Sequence, residues 1–258
     1  MRFFGFVVNP EEGGRMAEGG VLGVLTDTVE APGRWLVLVT GLFAAAVSIG
    51  TFAFMSSEKS LLIVRANVLG TVFHEGGHAL ASVVTGGGVR RIAITSADGG
   101  ATWSWAPSPL SRALVSVAGY AMPPLAGLGA AALLRHGYAP AVLALTVAVM
   151  ALVLVLTRDL VTFVAVAALG IAAFVTLRVA PGSLQNAAAY GEAWLLLTSE
   201  IGGLAVLVAN RVRHGLRDHT DDAAGLAEST SVPAFVWIAG WLVLIGWALQ
   251  KAVPLLWP

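Results

Sequence analysis

The chain has 258 residues, of which 57% are hydrophobic and 12% charged; 15 basic residues balance 15 acidic ones, and the mean hydropathy is +0.81. This is the profile of an integral multi-pass membrane protein and excludes an ordinary soluble domain, while zero net charge without a basic stripe excludes nucleic acid as a partner. With no cysteine there are no disulfides, iron–sulfur clusters, thiolate zinc sites or cysteine nucleophiles, so any bound metal must use His, Asp or Glu.

The opening MRFFGFVVNPEE has too short an apolar run for a signal peptide and no small-residue cleavage site after it. Residues 1–34, rich in Gly and acidic residues, read as a weakly ordered or surface-lying extension, and 35–258 as the membrane-embedded domain. Seven hydrophobic spans are expected, at about 35–55, 61–84, 110–134, 140–157, 159–177, 190–210 and 233–252, which makes the fold all-α with one short β-hairpin.

The second span carries TVFHEGGHALAS. On a helix His74 and His78 lie one turn apart on one face, roughly 6 Å from each other, so both imidazoles can reach one tetrahedral Zn²⁺. Glu75 points about 100° away from His74, which leaves it free to take a proton from a water activated by the metal. Asn67, Thr71, His74, His78 and Thr85 form a polar stripe opposite Val68, Leu69, Val72, Phe73, Leu80 and Val83. A polar stripe in a span is expected to face protein and not lipid.

After this span, GGGVRRIAITSADGGATWSWAPSP holds two strand-like runs around DGG, the signature of a hairpin whose edge could hold a substrate in extended form. The third span contains Gly119, Pro123 and Pro124, a combination that bends a helix, permits close packing and can open a cleft. Arg158 and Asp159 interrupt the apolar run 139–179, which is about twice a bilayer's thickness, so two helices joined by a tight turn are expected there. A catalytic zinc needs a third protein ligand, and Asp159, a carboxylate at a membrane boundary on a separate helix, is the candidate; pairing with Arg158 or a helix N-terminal charge is the alternative. Glu200 lies mid-span in LLLTSEIGG, either functional or bonding between helices. Asp218, His219, Asp221 and Asp222 resemble a ligand set but sit in a polar loop, read as solvated, where Thr220 or Asp221 can cap a short helix.

Alternating spans put ten basic residues on the N-terminal side (Arg2, Arg15, Arg34, Arg90, Arg91, Arg112, Arg158, Arg211, Arg213 and Arg217). The other side receives five: Lys59, Arg65, Arg135, Arg178 and Lys251. The positive-inside rule then makes the N-terminus cytoplasmic, with HEGGH about 9 Å from the cytoplasmic end of an inward-running second span.

HEGGH in a membrane helix, a hairpin after it, a Gly/Pro-bearing span and an aspartate about 80 residues downstream resemble the site-2 protease family of intramembrane zinc metallopeptidases, over roughly residues 61–165. The chain is most similar to a compact bacterial branch, whose signature DDAAGLAESTSVPAFVW resembles, extending the likeness to about residue 241. The resemblance implies a zinc endopeptidase of a bacterial cytoplasmic membrane, cutting a membrane-protein or peptide substrate near the cytoplasmic face. It implies His74 and His78 as zinc ligands, Glu75 as general base, and Asp159 in the place of the third ligand, although the family's aspartate is commonly followed by glycine and here by Leu160. The residues also leave room for a metal-binding membrane transporter or sensor, or a catalytically silent membrane scaffold. Oligomeric state is not legible.

Overall fold

A computed structural model describes residues 20–53, 67–94, 99–214 and 221–258. Among them α1 (Gly20–Thr26) and α2 (Arg34–Ala53) precede α3 (Val68–Val84), which carries HEGGH. The hairpin β1 (Gly88–Ile94) and β2 (Gly100–Trp105) follows, then α4 (Pro109–Leu134), α5 (Ala139–Leu156), α6 (Leu160–Val179), α7 (Gly182–His214), α8 (Asp222–Thr230) and α9 (Ala234–Leu256).

Six of these helices, α2, α4, α5, α6, α7 and α9, are long and apolar enough to cross a membrane, and each falls on an expected span. The remaining expected span, 61–84, is described from residue 67 as α3; residues 61–66 lie outside the described residues, as do 1–19 and 95–98. The apolar run 139–179 does divide at Arg158 and Asp159. The segment after α1 is hydrogen-bonded to its neighbours: Val29 N donates to Gly137 O (2.8 Å), and Asn186 Nδ2 to Glu30 O (2.7 Å).

Inside a bilayer, lipid offers apolar contacts as good as protein does, so helices associate through close backbone approach. Gly77 of α3 shows this against α4: a Cβ there would lie 2.5 Å from Ala118 O. Contacts also fix helix direction. His78 meets Val115, Gly77 meets Met122, and Thr85 O meets Ser111, so α3 and α4 are antiparallel. Tyr120 lies by Gly203, and Gly127 by Ala193 and Leu197, so α4 and α7 are antiparallel too. Beside α7, Glu30 lies at Asn186, Ser48 donates to Thr198 O (2.9 Å), and Thr51 adjoins Gly202, so α2 advances with α7.

Helices α2, α3 and α7 therefore run in one direction. The expected alternation between the first two spans is absent, because hydropathy marks a span and not its direction, and the connection at 54–66 lies outside the described residues. α3 starts beside the stretch of α7 where α2 is ending, since Gly70 adjoins Ser199 as Thr51 adjoins Gly202.

The hairpin is antiparallel, pairing Gly88 with Trp105 and Ile94 with Gly100, with a bulge between Val89 and Arg91. It is wedged between α3 and the α5–α6 turn. Ile92 and Ile94 are buried with Leu69, Val72, Met150, Val153 and Val166, and Ile94 N donates to Thr162 Oγ1 (2.8 Å). On the opposite flank Ala113, Leu207, Leu226, Ile238 and Trp241 lock α8 against α4, α7 and α9. Between these two clusters lies a polar cavity.

Candidate metal centre

On α3 the polar stripe turns inward as its spacing demands. Of the stripe, Asn67, Thr71 and His78 are buried and His74 and Thr85 half-buried; Glu75 beside it is buried too, whereas Leu80 and Val83 are exposed on the outer side. Leu69 and Val72 of the apolar side are buried as well, covered by the hairpin and α5. The rings of His74 and His78 lie edge to face, centroids 4.9 Å apart.

Each ring is held at Nδ1. His78 Nδ1 donates to Val115 O (2.7 Å), and His74 Nδ1 lies 3.4 Å from Glu200 Oε2. An N–H on Nδ1 leaves the lone pair on Nε2, and both Nε2 atoms point toward one carboxylate oxygen, Asp222 Oδ2, each at 3.3 Å. Tyr120 closes the side, its ring edge to face with His74 at 4.7 Å and backed by Trp241 at 4.6 Å.

His74, His78 and Asp222 each offer one atom, and the three lie within 4.8 Å of one another. Two donors bound to a tetrahedral Zn²⁺ at 2.0–2.2 Å stand about 3.3 Å apart, which is the Nε2–Oδ2 spacing of both histidines here. Space is reserved on the α4 side by Gly119, where a Cβ would lie 2.5 Å from His78 Nε2 and 2.7 Å from His74 Nε2. Two neutral imidazoles and a carboxylate are a donor set that fits zinc.

Glu75 is buried and its Oε2 accepts from Thr102 Oγ1 of β2 at 2.6 Å. It shares with the two histidines and Asp222 a cavity of about 470 Å³, which Gly100, Ala101, Thr102 and Ser104 of β2 also line. The hairpin thus brings backbone and hydroxyl groups to the cavity wall.

Asp222 comes from the loop read as solvated. Asp221 caps α8, its side chain accepting from Ala224 N (2.8 Å), and pairs closely with Arg211 of α7. Asp222, one residue on, is turned toward the histidines. Burial works against its ionisation, but the adjoining His78 and His74 outweigh this and hold the carboxyl below the usual carboxylate range. Asp218 and His219 lie outside the described residues.

Asp159 stands apart from this group. It is the N-cap of α6, exposed, with Oδ1 accepting from Thr162 N (2.8 Å), and that backbone amide lowers its carboxyl pKa. The tandem Asp221-Asp222 before AAGLAE was the available signal for Asp222: one carboxylate is enough for the cap, which leaves the second free of it.

A helical bundle of apolar spans with a His, His, Asp cluster at one end defines an integral multi-pass membrane protein with a site suited to a metal ion. The chain matches the model of the Peptidase M50B-like family over residues 44–252 and belongs to that family, one of membrane-embedded metalloproteases. No curated protein and no solved structure matches it.

Proposed function

We propose that this protein is a zinc-dependent endopeptidase that cleaves a membrane-protein substrate, with His74, His78 and Asp222 as zinc ligands and Glu75 as general base. The observation that carries the reading is the convergence of both Nε2 atoms on Asp222 Oδ2 at 3.3 Å, beside a buried Glu75 in a single cavity. Asp159 serves α6 as its cap, and the ligand place falls to Asp222.

A zinc ion held there supplies Lewis acidity, polarising the scissile carbonyl and acidifying the attacking water. Glu75 takes the proton of that water as the new C–O bond forms and delivers it to the amine as the C–N bond breaks. Thr102 holds the Glu75 carboxylate in place through its 2.6 Å hydrogen bond. Among the described residues β2 pairs with β1 alone and its residues line the cavity, so an extended substrate segment can lie beside it, its peptide bonds freed from helical hydrogen bonding.

The metal end faces the cytoplasm in this reading. Arg90, Arg91, Arg112, Arg158, Arg211 and Arg213 lie at that end, whereas Arg34, Arg135, Arg178 and Lys251 lie at the other among the described residues. Because α2 and α3 share a direction, the start of α2 falls on the side away from the cytoplasm, the reverse of the placement that alternating spans give.

The test is Glu75→Gln in detergent-purified full-length protein, assayed against a panel of single-span substrates. Cleavage should fall to background while zinc stays stoichiometric by elemental analysis. Cleavage at the wild-type rate would end the mechanism.

A further inference from the structure

The two histidines are anchored by different means. His78 uses a backbone carbonyl, Val115 O, which no side-chain substitution removes. His74 has a carboxylate, Glu200 Oε2, at 3.4 Å from its Nδ1, on α7, a helix distant in sequence. Glu200 is 5% exposed, and among the described residues its carboxylate has His74 as its side-chain hydrogen-bonding partner. Gly203, one turn along α7, keeps the surroundings open: a Cβ there would lie 3.3 Å from Glu200 Oε2 and 3.6 Å from Tyr120.

A carboxylate buried in a membrane protein is costly and persists where it has a partner that needs it. A metal-binding imidazole is such a partner. A carboxylate on Nδ1–H fixes the tautomer and ring angle, and makes Nε2 a stronger donor than a carbonyl partner does. Tyr120 meets His74 ring to ring, edge to face at 4.7 Å, while the carboxylate of Glu200 is the group at its Nδ1.

We propose that Glu200 is a positioning residue for the metal centre: it accepts the Nδ1 proton of His74 and so aims Nε2 at the ion. This rests on the zinc site assigned above. Glu200 neither coordinates the ion nor touches substrate, and it acts through His74.

The experiment measures zinc affinity by chelator competition in full-length protein, for wild type, Glu200→Gln and Glu200→Ala, alongside the melting temperature of each metal-free form. Gln fills the same volume but lacks the charge. Zinc affinity should fall about 10-fold in Glu200→Gln and toward 100-fold in Glu200→Ala, with the metal-free melting temperature of Glu200→Gln near wild type. The cobalt-substituted form of Glu200→Gln should also show a shifted visible spectrum. Wild-type affinity and spectrum in Glu200→Gln would mean that Glu200 only fills space, and would overturn the proposal. Should the variants fail to fold, ¹⁵N-histidine NMR of zinc-loaded wild type decides alone: His74 protonated at Nδ1 and metallated at Nε2 supports the assignment, and metal on Nδ1 overturns it. Zinc binding by wild type that survives His74→Ala would instead remove the metal-site reading itself, a result separate from any outcome at Glu200.

Discussion

Two helix starts in this molecule carry aspartate, and they use it differently. At α6 a single carboxylate, Asp159, accepts from the amide three residues on, at 2.8 Å, and is spent there. At α8 Asp221 makes the same bond to Ala224 N, also at 2.8 Å, and Asp222 beside it is left to face His74 and His78. A carboxylate that caps a helix is turned back on its own backbone. At α8 the two tasks fall to two residues, Asp221 satisfying the helix and Asp222 reaching out of it toward the histidines.

The sharpest way to break this contrast is to remove each carboxylate in turn. Asp222→Ala should weaken zinc binding by more than the roughly 100-fold that the loss of a supporting group costs, and abolish cleavage, whereas Asp159→Ala should keep wild-type zinc content. Metal loss in the Asp159 variant alone would exchange the two roles. Next in size is Gly119→Ala, which drives a methyl into the space before the His rings; overpacking of about 1–3 kcal/mol should appear as a lower melting temperature together with weaker zinc binding.

Asp221→Ala removes a cap and the partner of Arg211, and should cost about 2 kcal/mol in thermal or denaturant unfolding, with Asp221→Ser recovering the cap share. Asp159→Ala should cost about 1 kcal/mol, the value of an N-cap alone. The effect has a pH signature. Because the folded-state pKa of Asp159 is depressed, its contribution is present above the unfolded value of about 3.9 and is lost as pH falls through the folded value. The melting-temperature gap between wild type and Asp159→Ala should therefore hold at neutral pH and close below about pH 4. A gap that widens in acid would rule out the capping role.

Much of the architecture could be read directly from the chain. Apolar runs located six spans, the Arg158-Asp159 break separated α5 from α6, and the residues flanking DGG formed the paired strands β1 and β2. HEGGH placed three polar groups at one cavity because helical spacing is local information. Two things escaped. The shared direction of α2 and α3 depends on contacts with α7 and on a connection whose path hydropathy does not encode. Asp222 lies 144 residues after His78, brought there by Leu226 of α8 packing with Ala113 of α4 and Trp241 of α9, and its polar neighbours made the segment look solvated. Glu200 was visible as an anomaly mid-span, but its partner became evident only when α7 was set beside α3.

That long separation between HEGGH and α8 also bears on biosynthesis. Synthesis runs from the N-terminal side, so both imidazoles and Glu75 emerge before Asp222, which follows His78 by 144 residues. Until then a nascent chain holds an incomplete donor set, and α9, which buttresses α8, is later still. In the proposed zinc reading, a half-made copy cannot yet hold its metal, and cutting waits on nothing more than the order of the residues.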